Sequence, residues 1–196
     1  MLACLAVLAA IMLPTLAKSK ARSSRIGCTN CMKQIGLAFR TWSIDNNYRL
    51  PMQVAVTNGG TMELVSSGLV YPHFLVMSNE LSTPRMLLCP NDEKRSYATN
   101  FADLRDRNLS YFVNMDATNE DASSLLSGDR NITNRAHAGR RVVSLTKADT
   151  IAWTKEIHLE KGHLGFGDGR VDSFSNGSVG AAIKIGDGAT NWLAVP

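Results

Sequence analysis

The first seventeen residues, Met1–Ala17, carry no charged side chain, and this run limits what the chain can fold into more than any other feature. Lys18 then opens a basic stretch that also contains Lys20, Arg22 and Arg25. A surface this apolar is stable only in lipid or against other apolar surfaces. We therefore expect the uncharged run to be hidden from water in the working molecule.

Beyond the basic stretch, apolar residues recur at steps of three and four, which indicates one face of an α-helix. These residues are Ile26, Cys28, Cys31, Met32, Ile35, Phe39 and Trp42. The uncharged run and this segment together predict one helix that Pro14 bends and that ends near Asp45, before Asn46, Asn47 and Pro51. The alternative is a cleaved leader followed by a separate helix.

After Pro51 the chain changes to short apolar runs separated by Gly, Asn, Asp and Pro, which is typical of strands and loops. Asp168-Gly169 predicts a two-residue hairpin turn with positive φ at both central positions. A short helix is expected near Val70–Glu80. The candidate strands are Arg85–Cys89, Ser110–Asn114, Ser124–Ser127, Ile151–Thr154, Gly162–Phe166 and Arg170–Phe174. We therefore predict an N-terminal helix over residues 1–48 and a β-rich globular head over residues 49–196.

Three of the four cysteines, Cys28, Cys31 and Cys89, lie outside the uncharged run. Cys28 and Cys31 have the CxxC spacing, but no second CxxC follows for a zinc site, and Met32 stands where haem attachment needs His. The pattern favours a structural disulfide to Cys89 over a metal or redox site. Such a bond places the head outside the cytoplasm.

Four segments, in the same order along the chain, carry a resemblance to a known family. They are LPTLAKSK at 13–20, CTNCMKQIGLAFRTWSIDNN at 28–47, MSNELSTPRMLLCPND at 77–92, and His158 followed after nine residues by Asp168-Gly169. This set resembles type IV pilins and secretion pseudopilins, and the last segment is similar to the His-x9-Asp-Gly signature of prepilin-type proteins. The resemblance implies an α+β, pilin-like fold, with a long N-terminal helix whose first half is apolar and a head built on an antiparallel β-sheet.

The resemblance also implies a function, that of a structural subunit of an extracellular type IV pilus-like filament. The subunit would wait in the inner membrane, be processed and methylated, and then polymerise with identical copies through its N-terminal helix with the help of assembly machinery. The expected filament core consists of Leu2, Leu5, Val7, Leu8, Ile11, Met12, Leu13, Pro14 and Leu16. Cys28 and Cys89 are the implied disulfide partners, with Cys31 as the alternative partner of Cys89. The sequence departs from the family in one respect, because no acidic residue precedes Asp45 where the family carries a glutamate near its start.

The same resemblance allows a second function, a type II secretion pseudopilin that works in the periplasm. A calcium ion at Asp168, Asp172 and Asp187 is a further expectation, because some pseudopilins hold calcium in a C-terminal loop. A third hypothesis, from another class, is a membrane-anchored binding protein or hydrolase that uses His158, His163 and Asp168. No nucleophile or dinucleotide motif is present, so we predict that the chain is not an enzyme and has no other cofactor. The scattered basic residues do not predict nucleic-acid binding.

Overall fold

A computed structural model of the chain describes residues 2–119, 121–134, 141–183, 185 and 189–196, and within residues 2–21 it describes the side chains of Met12, Ser19 and Lys20 only. The helices are α1 (Leu2–Asp45), α2 (Tyr71–Leu75), α3 (Ser78–Leu81) and α4 (Val179–Ala182). Short 3₁₀ helices cover Pro51–Gln53, Val56–Asn58, Met62–Ser67, Pro84–Leu87 and Asp106–Asn108.

Eight strands follow in the second part of the chain. They are β1 (Tyr111–Asn114), β2 (Leu125–Asp129), β3 (Ile132–Asn134), β4 (Val142–Thr146), β5 (Ile151–Trp153), β6 (Lys161–Phe166), β7 (Val171–Ser175) and β8 (Thr190–Ala194). Six of them form one sheet in the order β4-β8-β1-β2-β6-β7, while β3 and β5 form a separate ribbon. Every neighbouring pair is antiparallel.

The C-terminal half of α1 packs on one face of the six-stranded sheet. The buried side chains of this half recur at helical spacing, because positions three and four apart share one side of a helix. They are Cys28, Met32, Ile35, Ala38, Phe39 and Trp42. Tyr111 and Val113 of β1 and Leu126 of β2 join them from the sheet, and the segment between α1 and β1 closes the same core.

A second core lies on the opposite face of the sheet. Phe112 of β1 and Leu164 of β6 point into it because successive strand residues face opposite sides. Trp153 from the β3–β5 ribbon and Val179 from α4 cover this face. All four residues of β1 are therefore buried, and the strand is sandwiched between α1 and the ribbon layer.

The predicted fold class, a long N-terminal helix with an apolar first half, is wrong because this helix is not apolar enough over a sufficient length. Among the residues that the structure describes, no helix is long and apolar enough to cross a membrane. The reason is length, because Met1–Ala17 falls short of the roughly 20 apolar residues that span a bilayer. Ser19 and Lys20, which follow it, are exposed. Of the expected filament-core side chains only Met12 is described, at 61% exposure, and the others lie outside the described side chains.

Smaller predictions about the head also need correction. Arg85–Cys89 is not a strand, because Pro84 begins a 3₁₀ helix there and Thr83 accepts a hydrogen bond from the backbone N–H of Arg85. The β6–β7 connection does lie at Asp168-Gly169, but it is longer than a two-residue turn, since β6 ends at Phe166 and β7 begins at Val171. Only Gly169 has positive φ, at 85°.

His73 is a fully buried histidine on α2 whose neutral form the fold requires. Its Nδ1 lies 2.7 Å from Oγ1 of Thr61, and its Nε2 has no hydrogen-bond partner within the part of the chain that the structure describes. Burial lowers the pKa of His73 to about 4 from an ordinary value of 6.5. Protonation would place a second, unpaired N–H in an apolar site.

We predict from His73 that the protein loses stability as the pH falls from 6.5 towards 4. In that window the unfolded chain binds a proton at His73 that the folded chain does not, so the free energy of unfolding falls by up to about 3 kcal/mol. Urea denaturation at several pH values measures this effect. The His73→Gln variant is the control, and its curve should fall less steeply over the same window. Equal slopes for the two proteins would contradict the assignment.

Candidate metal centre

Five side chains from separate segments meet where α1 crosses the sheet. Cys28 comes from α1, Cys89 from the loop after the Pro84–Leu87 helix, and Asp129 from the end of β2. His158 lies in the loop before β6, and His163 lies in β6 itself. None of the five is more than 3% exposed. We call them the Cys/His/Asp cluster.

The polar atoms of the Cys/His/Asp cluster lie at or near contact distance of one another. The Cys28 thiol donates to Oδ1 of Asp129 at 3.3 Å. Nε2 of His158 lies 3.5 Å from Sγ of Cys89 and 3.6 Å from Oδ2 of Asp129. The thiols of Cys28 and Cys89 are close enough for each to shift the pKa of the other. The ligand atoms of Cys28, Asp129, His158 and His163 all lie within 4.8 Å of one another, and Cys89 adjoins this group at His158.

His163 and two outer residues complete the arrangement. The backbone N–H of His163 donates to Oδ2 of Asp129 at 2.7 Å, and its ring Nδ1 lies 2.9 Å from the same oxygen. The ring of His163 packs edge-on against that of His158, with 4.9 Å between centroids. The Tyr111 hydroxyl lies 3.4 Å from Sγ of Cys28, and the side-chain amide of Asn91 lies 3.3 Å from Nδ1 of His158.

The electrostatics of the cluster favour a negative charge on Cys89. Interaction with the Cys89 thiol raises the pKa of Cys28 well above its ordinary value, and burial raises it further. The same interaction lowers the pKa of Cys89 to about 6, against the opposing effect of burial. Burial opposes charging of His158, but its hydrogen bond to Cys89 and the charge of Asp129 together raise its pKa. The Cys89 thiol therefore loses its proton more easily than the Cys28 thiol.

A buried ion pair holds two of the cluster segments together. Asp92 follows Cys89 in the same loop, and its two carboxylate oxygens accept hydrogen bonds from Nη2 and Nε of Arg130, both at 2.7 Å. Arg130 is the residue after Asp129. Ser110 donates to Asp92 as well, at 2.8 Å. This two-pronged geometry fixes the Cys89 loop against the end of β2.

The loop that carries His158 has an unfavourable backbone conformation. Leu159 and Glu160 both adopt left-handed φ values, 54° and 63°, although neither is glycine. Leu159 is also 72% exposed, so its own side chain does not stabilise this conformation. Two such residues cost on the order of 1–3 kcal/mol each, and such strain persists where the surroundings fix the chain. The strained backbone of this loop places His158 in contact with Cys89 and Asp129.

The cluster gives a different picture from the one that the sequence predicted. Cys28, Cys31 and Cys89 are free thiols, but Cys28 and Cys89 are adjacent, so a bond between them stays a prediction. His158 and His163 do come together, yet their carboxylate partner is Asp129 and not Asp168. Asp129 ends a strand whose Gly-Asp-Arg sequence is typical of a turn, and no spacing rule connects it to Cys28, which lies 101 residues earlier.

The residues named for calcium are only partly described. Asp168 and Asp172 both pair with Arg170, whose Nε lies 3.6 Å from Asp168 and whose Nη1 lies 2.7 Å from Asp172. Asp187 lies outside the described residues, so the calcium site stays a prediction. Asp168 also accepts a hydrogen bond at its backbone oxygen from Nη1 of Arg40 in α1, at 3.2 Å. The Asp-Gly end of the His-x9-Asp-Gly segment therefore contacts α1, while His158 at its other end contacts Cys89 and Asp129.

Comparisons of the chain with family models, with curated proteins and with solved structures found no match. The resemblance to pilins and pseudopilins stays a prediction for this reason.

We predict that the Asp92–Arg130 pair stabilises the cluster region strongly. Asp92→Asn removes the negative charge and leaves Arg130 largely buried, with Glu156 as its remaining carboxylate partner. Breaking a buried pair in this way lowers the free energy of unfolding by about 3 kcal/mol. Urea denaturation measures the loss.

The adjacent Glu93→Gln change is the matched control for Asp92→Asn. It makes the same chemical replacement one residue away on an exposed side chain. Its effect should stay within about 0.5 kcal/mol. Equal effects of the two changes would show that the ion pair is not an important support of the Cys89 loop.

Proposed function

We propose that the chain is a structural subunit of an extracellular type IV pilus-like filament, in which α1 makes the contacts with identical neighbouring copies. The observation that carries the proposal is an exposed apolar stripe on α1. Its members are Met12, Ile26, Leu37 and Ile44, which are 61%, 54%, 63% and 61% exposed. At 3.6 residues per turn they lie within about 40° of one another around the helix.

The stripe lies on the side of α1 opposite to the head. The buried positions Met32, Ile35 and Phe39 are roughly half a turn away from it at the same helical spacing. The head therefore covers one side of the helix and leaves the other side for a partner. Lys33 is exposed on the same side as the stripe, so the contact surface is mixed and not purely apolar.

The shape of α1 also supports a role in assembly. Its 44 residues span about 66 Å. The described contacts with the head begin at Cys28, so more than half of this length lies N-terminal to the packed part. Identical subunits that join through unlike surfaces of one long helix build an open helical polymer, which needs a single kind of chain.

The buried cluster supports a structural and not a catalytic role. His158, His163 and Asp129 could act as acid and base, but all three are at most 3% exposed. A substrate could reach them only if the segments packed around them moved apart. A general base must lie within hydrogen-bond reach of the substrate, which this burial prevents.

We predict that Leu37→Lys abolishes filament assembly without unfolding the subunit. The new ammonium groups would come close to one another, and to Lys33, wherever copies of α1 meet. Lysine is a good helix former, so α1 should persist. Negative-stain electron microscopy of the assembled material, together with circular dichroism of the subunit, measures both properties.

Val56→Lys is the control, because Val56 is 46% exposed and lies on the head. This variant should assemble like the unmodified chain. Normal filaments from the Leu37→Lys variant, or an unmodified chain that stays monomeric after detergent removal, would refute the proposal. Immunolabelling then separates the two assembly roles, since long cell-surface fibres indicate a pilus subunit and labelling confined to a secretion channel indicates a pseudopilin.

A further inference from the structure

Three distances inside the Cys/His/Asp cluster are close to the separations expected between the ligands of one zinc ion. Zinc sites have Zn–S bonds of about 2.3 Å and Zn–N or Zn–O bonds of about 2.0–2.2 Å, which places neighbouring ligand atoms about 3.4–3.8 Å apart. Sγ of Cys28 lies 3.3 Å from Oδ1 of Asp129, and Nε2 of His158 lies 3.5 Å from Sγ of Cys89 and 3.6 Å from Oδ2 of Asp129. These atoms come from four segments of the chain.

We infer that the cluster binds one zinc ion, held by Sγ of Cys28, Sγ of Cys89, Nε2 of His158 and a carboxylate oxygen of Asp129. Two sulfur ligands with one imidazole select a borderline-soft ion such as zinc over calcium or magnesium, which prefer oxygen. Four protein ligands close the coordination sphere. The site is therefore structural, since a catalytic zinc keeps one position open for water.

His163 is a positioning residue for this zinc site. Its backbone N–H and its ring both contact Oδ2 of Asp129, and they hold the carboxylate towards the ion. Asn91 lies beside His158 in the same way, with its amide nitrogen 3.3 Å from Nδ1; with the amide turned over, its oxygen would accept the ring proton and leave Nε2 free to bind metal. Both contacts are the outer interactions that orient ligands in zinc proteins.

Zinc binding and a Cys28–Cys89 disulfide exclude each other. Binding removes the thiol protons to solvent and forms two Zn–S bonds with no change in oxidation state, whereas a disulfide consumes the same two sulfurs. The geometry favours zinc because a disulfide would use only the two sulfurs, whereas His158 and Asp129 lie beside those sulfurs as two further ligands. The inference does not depend on filament assembly, and the Leu37→Lys variant should bind zinc like the unmodified chain.

The test is the metal content of the full chain, purified from zinc-supplemented culture without chelator. Elemental analysis should find about one zinc per chain. Cobalt(II) in its place should show a sulfur-to-cobalt charge-transfer band and the visible bands of a tetrahedral ion. X-ray absorption of the zinc protein should find two sulfur and two lighter ligands at the distances given above. These measurements on the unmodified chain stand even if a ligand variant fails to fold.

The Cys89→Ser variant should bind zinc at least about 100-fold more weakly, because loss of a ligand costs more than loss of an outer contact. Cys31→Ser is the matched control, since Cys31 is half-buried on the same helix and lies outside the proposed ligand set. This variant should keep its zinc. An unmodified chain without zinc, a Cys28–Cys89 disulfide found by peptide mass mapping, or zinc lost from the Cys31→Ser variant alone would each overturn the assignment.

Discussion

The packing of the six-stranded sheet on the C-terminal half of α1 is the contact on which the other features depend. Met32, Ile35 and Phe39 are essentially removed from water there, and each contributes about 1.5–3 kcal/mol of burial energy. Gly165 of β6 allows the close approach, because even a Cβ at this position would lie 3.4 Å from the Met32 side chain. A branched side chain would push the helix away from the strand. Since Cys28 lies one helical turn before Met32, the same packing sets the position of the first cluster residue.

The spacing of the His-x9-Asp-Gly segment follows from this packing. His158 lies 3.6 Å from Asp129, which is hydrogen-bonded to Cys28 of α1, and the backbone oxygen of Asp168 accepts a hydrogen bond from Arg40 of α1. Cys28 and Arg40 are separated by about 18 Å along the helix, while the six residues of β6 span about 20 Å. One strand of this length lies between the two contacts. In this chain the segment contains a strand that is linked to α1 near both ends, through Asp129 and Cys28 at one and through Arg40 at the other.

Local sequence patterns predicted the elements that depend on neighbouring residues. They did not predict the features that depend on segments far apart in the chain. Most of the apolar residues at helical spacing do lie on the packed side of α1, but Ile26 is 54% exposed on the opposite side. The helix ends at Asp45 as predicted, and Asp168-Gly169 lies in the β6–β7 connection. Strand β8 was missed, because its sequence, Thr190–Ala194, carries an exposed Trp192 and becomes a strand only between β4 and β1. Asp129 was missed for the same kind of reason, since its role depends on segments far away in the chain. The prediction from the uncharged run was wrong because Met1–Ala17 lacks charge but is shorter than the roughly 20 apolar residues that span a bilayer.

A metal ion and a disulfide differ in the number of chain segments that each can join at the cluster. A disulfide joins two points and restricts one loop of the unfolded chain. A zinc ion at this site would join α1, the Cys89 loop, β2 and the His158 loop at once, across separations of 101 residues from Cys28 to Asp129 and 69 from Cys89 to His158. Closing loops of that length removes considerable freedom from the unfolded state. Cys28 is the only proposed ligand on α1, so in a filament built through α1 any force on the head would pass to the helix partly through this ion. A four-way connection at that point resists separation of helix and head in more directions than a single covalent bond could.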